Sequence, residues 1–136
     1  MRPMDPKRIL MVDDDGDYAA GIRLVLGSRG YAFFHAADPE TGLTRLEEAA
    51  PDMIILDVVM GNRTGGFLFA KELRSAAAHA RFARTPILLL TGMRRQPGEP
   101  FAIEGDEAVF LPGDEFLEKP VSPELLLRTV SRMTGG

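Results

Sequence analysis

Five polar residues lie at or just beyond the ends of apolar runs in this sequence. They are Asp13, Asp14, Asp57, Thr91 and Lys119. Three carboxylates gathered in one pocket would repel one another unless a cation neutralised them. Hard oxygen ligands suit Mg²⁺, which takes one or two carboxylates, keeps several waters and leaves room for a phosphate. A lysine ammonium and a threonine hydroxyl are suitable partners for phosphoryl oxygens.

Each of these residues also has an ordinary structural explanation when it is considered alone. An acidic stretch after a strand usually forms a turn or caps a helix, which would account for Asp13 and Asp14. Asp57 could begin a loop, and Lys119 could be a solvated surface lysine. The joint placement of all five residues at predicted strand ends is what favours a shared site.

The apolar runs predict five strands. Residues 53–56 and 87–90 are apolar without interruption, which is typical of central parallel strands buried on both faces. The predicted strands are residues 9–12, 31–36, 53–56, 86–91 and 115–117. Because parallel strands place functional groups at their carboxyl ends, the polar residues beyond these runs are candidates for one crevice.

Helical patterns separate the strands. One face of the first predicted helix carries Tyr18, Ile22, Val25 and Leu26, and the helix closes around residues 27–30. Ser122 precedes Pro123 and so predicts the start of the last helix. The remaining helical faces are Leu43, Leu46 and Ala50, then Phe69, Leu73 and Ala76 or Ala77, then Leu126, Val130 and Met133. The alternation predicts an α/β fold, an open parallel sheet covered by helices on both sides.

Composition narrows the range of functions. The chain has 136 residues, a usual length for one compact domain, and its lack of cysteine excludes disulfides and thiol catalysis. The formal net charge of −4 argues against direct nucleic-acid binding. No apolar run is long enough to cross a membrane, and residues 1–8 do not resemble a signal peptide. We therefore expect a cytoplasmic domain without a membrane partner.

Four segments resemble the motifs of response-regulator receiver domains from two-component signalling. Residues 9–15 (ILMVDDD) are similar to the opening strand and acidic pair, and residues 52–60 (DMIILDVVM), followed by Gly65, to the phosphoacceptor strand and its loop. Residues 86–92 (PILLLTG) resemble the fourth strand with its hydroxyl, and residues 114–120 (DEFLEKP) the lysine–proline motif. The resemblance extends from about Arg8 to Met133.

The resemblance implies a flavodoxin-like, doubly wound five-stranded parallel sheet in the order 2-1-3-4-5, with helices on both faces. It also implies a single receiver domain over residues 1–136, with its core at about residues 8–133, and a cis bond between Lys119 and Pro120. No effector region follows Met133 in this sequence, so we expect either a stand-alone receiver or a piece of a longer regulator.

The resemblance also implies a role for each candidate residue. Asp57 would accept a phosphoryl group, and Mg²⁺ would be the cofactor. The metal site would comprise Asp14 and Asp57 as direct ligands, Asp13 acting through water, and the backbone carbonyl of Val59. Thr91 and Lys119 would contact the phosphoryl oxygens, and Phe116 would be the aromatic switch residue that follows Thr91.

The implied function is a phosphorelay switch. A sensor histidine kinase or a phosphotransfer protein would supply the phosphoryl group, and an unknown effector protein or domain would receive the signal. The domain would catalyse only its own phosphorylation and dephosphorylation. Apolar Val59 and Met93 border the expected approach of water to the phosphorus, which predicts slow self-dephosphorylation.

Several positions depart from the family pattern. Gly61 stands where the family usually has proline, which predicts a more mobile loop at residues 61–66. The stretch from Thr91 to Lys119 is longer than usual and rich in proline and glycine, so the fourth helix is expected to be irregular across residues 93–111. His35 and His79 lie outside every motif, and we interpret them as an ordinary strand residue and a helix-end residue.

Two other functions are compatible with an α/β sheet of this kind. A phosphatase or phosphotransferase of the haloacid-dehalogenase type needs a second acid two residues after its nucleophile, and Val59 occupies that position. A pseudo-receiver would keep the fold as an interaction module that works without phosphorylation. The complete set of acidic, hydroxyl and lysine residues speaks against this second alternative, whereas the unusual fourth-helix region keeps it open.

Overall fold

A computed structural model describes residues 6–57, 72–73, 81–82, 84–91 and 115–135. Its centre is a parallel sheet of five strands in the order β2-β1-β3-β4-β5. The strands are β1 (Arg8–Val12), β2 (Ala32–Ala36), β3 (Met53–Asp57), β4 (Ile87–Thr91) and β5 (Glu115–Glu118). The predicted strand order and direction are confirmed.

Strand β3 occupies the middle of the sheet. It pairs with β1 on one side and with β4 on the other, and all five of its residues are buried. A strand covered on both faces has no solvent-facing positions, which is why its sequence is apolar without alternation. Its last residue, Asp57, is therefore a carboxylate at the end of a fully buried strand.

Helices cover both faces of the sheet. In the described part of the chain, the helices with both ends defined are α1 (Gly16–Gly27), α2 (Pro39–Thr44), α3 (Leu46–Ala49) and α4 (Pro123–Met133), the last of which is the predicted final helix. Helix α1 begins where the Asp15 carboxylate accepts from the Tyr18 amide at 3.0 Å. Helix α4 begins at Ser122, whose hydroxyl accepts from the Leu125 amide at 3.2 Å. Such caps satisfy amide groups that have no partner within the helix.

The side chains of the sheet alternate between two hydrophobic cores. Helices α1 and α4 pack on one face, where Ile22, Leu26, Leu126 and Val130 are buried together with Met11 and its neighbours. The other core contains residues of α3, together with Leu73 and Phe82. The faces predicted for α1 and α4 are thus confirmed.

The second predicted helix differs from the structure. The pattern of Leu43, Leu46 and Ala50 predicts one continuous helix, but α2 ends before Arg45 and α3 begins after it. The Thr44 hydroxyl bonds back to the Thr41 carbonyl at 2.9 Å, an interaction that competes with regular helix geometry. The guanidinium of Arg45 also donates to the His35 carbonyl at 2.6 Å, which ties the break to the sheet.

Some predictions fall outside the described residues. They include Val59, the loop at residues 61–66, the third predicted helical face apart from Leu73, the segment at residues 93–111, and His79. The side chains of Thr91 and Phe116 also lie outside the description, although both residues belong to strands. Within the described part of the chain, no helix has the length and apolar character needed to cross a membrane.

Candidate functional site

Three carboxylates meet at the carboxyl ends of β1 and β3. Val12 pairs with Leu56 in the sheet, so the residues that follow them, Asp13 and Asp57, lie side by side. Oxygens of Asp13, Asp14 and Asp57 lie within 4.8 Å of one another. Asp13 is fully buried and Asp57 is 5% exposed, whereas Asp14 faces solvent. One side of this acidic cluster is therefore open to a ligand.

Lys119 reaches the same cluster from the end of β5. Its Nζ lies 3.0 Å from Oδ2 of Asp13 and 3.5 Å from Oδ2 of Asp57. Burial lowers the pKa of Lys119, but the hydrogen bond to Asp13 and the charges of Asp57 and Asp13 raise it by more. The pKa of Lys119 is therefore above its ordinary value, and the side chain is an ammonium at neutral pH. The Lys119–Pro120 peptide bond is cis, as the resemblance implied.

The backbone and side chain of Asp13 are held from several directions. Its amide donates to the Ala36 carbonyl at 3.0 Å, and its Oδ1 accepts from the Asp15 amide at 2.8 Å. Nε2 of His35 lies 2.7 Å from the Asp13 carbonyl oxygen. These contacts fix the turn that follows β1, so that a buried carboxylate points into the cluster.

Sequence reasoning missed the contact made by His35. The residue lies in β2, as predicted, but its side chain supports a site residue and is more than an ordinary strand side chain. The available signal was the strand order, because placing β2 beside β1 puts His35 opposite Met11, two residues before Asp13. No short motif marks this histidine.

Sequence reasoning also missed Tyr18. Its ring centroid lies 4.6 Å from Nζ of Lys119, and its hydroxyl accepts from the Val121 amide at 3.4 Å. The helical pattern correctly placed Tyr18 on the buried face of α1, where it packs partly against the core. That pattern carries no information about a partner as distant in sequence as Lys119.

The structure brings together four of the predicted site residues, which are Asp13, Asp14, Asp57 and Lys119. Thr91 ends β4 opposite Glu118, the residue before Lys119, which puts its backbone at the same end of the sheet. The backbone of Phe116 pairs with Leu89 inside the sheet.

The donor set of the acidic cluster fits a divalent cation. Counting these four side chains alone, three carboxylates face one ammonium, so negative charge is in excess. All of the metal-ligating atoms are carboxylate oxygens, which Mg²⁺ prefers to softer ligands. The residues present at this end of the sheet therefore suit Mg²⁺.

Comparisons with known proteins agree with this geometry. The family model described as "Response regulator receiver domain" matches residues 9–131. The response regulator MprA of Mycolicibacterium vanbaalenii is 35% identical over 90% of this chain and 48% of its own length. The alkaline phosphatase synthesis transcriptional regulatory protein PhoP of Bacillus subtilis is 31% identical over 86% of this chain and 44% of its own length. The chain spans about half or less of the length of these relatives.

A solved structure extends the similarity to the fold. The chemotaxis response regulator CheY4 of Vibrio cholerae superimposes with a TM-score of 0.75 at 31% sequence identity. The match covers 94% of this chain and 98% of that one. With its acidic strand ends, its lysine and its 2-1-3-4-5 sheet, this chain belongs to the family of receiver domains found in two-component response regulators.

Proposed function

We propose that this domain is a phosphorelay switch in which Asp57 accepts a phosphoryl group in a Mg²⁺-dependent reaction. One observation carries the proposal. The Asp57 carboxylate, at the end of the central strand, lies 3.5 Å from the Lys119 ammonium and shares a cluster with Asp13 and Asp14. The proposed nucleophile, a positive charge and a set of carboxylate oxygens thus lie together at one end of the sheet, where Asp14 faces solvent.

The reaction transfers a phosphoryl group from an oxygen or nitrogen atom of the donor to a carboxylate oxygen of Asp57. A carboxylate oxygen of Asp57 attacks the phosphorus, the bond from phosphorus to the donor breaks, and an acyl phosphate forms. Such a transfer leaves little covalent work for the protein, so positioning and charge neutralisation supply most of the catalysis. Bound Mg²⁺ would supply positive charge next to the phosphoryl oxygens, with Asp14 and Asp57 as ligands and Asp13 nearby.

Lys119 is placed to respond to the modification. Its ammonium contacts both Asp13 and Asp57 in this structure. The phosphorylated aspartate would carry about 1.5 to 2 negative charges at neutral pH, against one on the free carboxylate, so it would compete strongly for the lysine. Redistribution of these contacts, together with the proposed switch residues Thr91 and Phe116, would bias an equilibrium between two conformations.

The proposed partners follow from the chemistry of the family. Receiver domains interact with histidine kinases or phosphotransfer proteins, and such a protein would be the phosphoryl donor here, in the cytoplasm. The output would pass to an effector protein or domain. We also propose that residues 1–136 form one receiver domain with its core at about residues 8–133.

Labelling with a small phosphoryl donor tests the proposal. Purified protein is incubated with acetyl phosphate, with Mg²⁺ or with EDTA, and the phosphorylated fraction is measured by intact mass. The wild type should be labelled only with Mg²⁺, and Asp57→Asn should abolish labelling. Asp15→Asn is the matched control, because it removes a neighbouring charge while asparagine still caps α1.

Two outcomes would contradict the proposal. Label retained on Asp57→Asn would show that another residue is the nucleophile. A folded wild type that takes no label from acetyl phosphate or from any phosphotransfer protein tested would favour the pseudo-receiver function.

A further inference from the structure

Tyr18 lies against the lysine of the acidic cluster. It belongs to the first turns of α1, and its ring centroid is 4.6 Å from the Lys119 ammonium nitrogen. This distance is within the range of a cation–π contact, in which the negative face of the ring attracts the cation. The Lys119 side chain is only 20% exposed, so the contact is partly shielded from water.

The hydroxyl of Tyr18 makes a second contact to the same region. It accepts a hydrogen bond from the amide of Val121 at 3.4 Å. Val121 lies two residues after Lys119, in the connection between β5 and α4. One side chain from α1 therefore contacts both the lysine head group and the backbone segment that carries it.

The ring differs from the other partners of Lys119 in one important respect. Asp13 and Asp57 hold the ammonium through their carboxylates, which are the groups that would also bind a metal ion and, at Asp57, accept the phosphoryl group. The attraction of an aromatic face uses none of those oxygens. Tyr18 can thus keep Lys119 in the pocket when the carboxylates change partners.

We propose that Tyr18 is a positioning residue for Lys119, a role that rests on the proposed phosphoryl transfer. A lysine stem has several rotatable bonds and loses about 2 kcal/mol of rotamer entropy when it is fixed. Tyr18 restrains that stem before the phosphoryl group arrives. The lysine then meets the developing charge with less rearrangement, which is the general advantage of a preorganised site.

The rate of labelling by acetyl phosphate tests this role. Tyr18→Leu removes the aromatic face and should slow labelling about three- to ten-fold, the rate equivalent of a partly buried cation–π contact. Tyr18→Phe keeps the ring and loses only the hydroxyl, so it should retain most of the rate. Equal rates for wild type and Tyr18→Leu would overturn the proposal.

A double-mutant cycle separates positioning from a merely structural role. In a Lys119→Met background, Tyr18→Leu should cause no further slowing, because the cation that it positions is absent. The same fold-loss in both backgrounds would mean that Tyr18 acts only through the general stability of α1. Urea unfolding of each variant shows that the proteins compared are folded.

Tyrosine fluorescence gives a readout that does not depend on phosphorylation. The chain has two tyrosines and no tryptophan, so in Tyr31→Phe all of the tyrosine fluorescence comes from Tyr18. The emission should change when Lys119→Met is added to Tyr31→Phe, and unchanged emission would overturn the contact. If the wild type takes no label but this change is present, the phosphorelay function fails while the Tyr18–Lys119 contact stands.

Discussion

The two ends of the sheet treat their charged residues differently. At the amino end, the Asp52 carboxylate accepts from the Arg8 amide at 2.8 Å, and the Arg8 side chain donates to the Ala49 carbonyl at 2.6 Å. Glu115, at the start of β5, forms a two-pronged ion pair with Arg132 of α4. At the carboxyl end of the sheet, three carboxylates lie close together, and two of them, Asp13 and Asp57, contact the ammonium of Lys119.

The comparison separates charges that stabilise the fold from those of the proposed site. At the amino end, the carboxylates of Asp52 and Glu115 each have a partner that stabilises the fold, and Asp52 directly precedes β3. At the carboxyl end, like charges are held close together, an arrangement that costs stability and creates an affinity for cations. Asp52 and Asp57 thus lie near opposite ends of β3, and only substitution of Asp57 should reduce the stabilisation by Mg²⁺.

The largest expected effect is the loss of the shared ammonium. Lys119→Met leaves the fully buried Asp13 without its cation, and we expect the free energy of unfolding to fall by about 2–4 kcal/mol. Urea unfolding at pH 7 in EDTA measures this change. Arg132→Met, the matched loss of a cation at the amino end, should cost far less because that arginine is exposed. Equal losses for the two variants would mean that the two ends do not differ as described.

A smaller effect should appear when Mg²⁺ is added. A ligand that binds only the folded state at ten times its Kd raises the free energy of unfolding by about 1.4 kcal/mol. The wild type and Asp52→Asn should both gain this stability, whereas Asp57→Asn should lose most of the gain. Thermal unfolding with increasing Mg²⁺ measures the difference. If Asp52→Asn lost the gain as well, the binding site would not be confined to the carboxyl end.

The sheet and the acidic cluster could be predicted from sequence because the rules that place them are local. An uninterrupted apolar run such as residues 53–56 indicates a buried parallel strand, and polar residues beyond it lie at the sheet's carboxyl edge. Asp13, Asp57 and Lys119 were found in this way. The resemblance then supplied the strand order, which the structure confirms.

Contacts between distant segments could not be predicted by the same rules. The ring of Tyr18 reaches Lys119, and Nε2 of His35 reaches the carbonyl of Asp13, only after α1 and β2 have packed in place. The break at Arg45 likewise depends on a hydrogen bond to the neighbouring strand. Periodicity reports which face of an element is buried, but it does not report which polar atoms that face will meet.

The smallest expected effect is a pH dependence at the amino end. The hydrogen bond and charge of Arg132 hold the pKa of Glu115 below its ordinary value of 4.5. A carboxyl group with a lowered folded-state pKa stabilises the fold above its unfolded value, and this contribution is lost as the pH falls through the folded-state pKa. The wild type should therefore be slightly more stable than Glu115→Gln at pH 7, and the free energies of unfolding of the two proteins should become equal in acid.

Urea midpoints of both proteins between pH 7 and pH 3 measure that convergence. Added salt should shrink the difference at pH 7, because the pair is exposed and its attraction is screened. Lys119 provides the contrast within one molecule, because its partners are buried and its pair should respond much less to salt. A difference between wild type and Glu115→Gln that survived at pH 3 and in high salt would mean that Glu115 stabilises the sheet by packing. The ion pair between Glu115 and Arg132 would then contribute little to the free energy of unfolding.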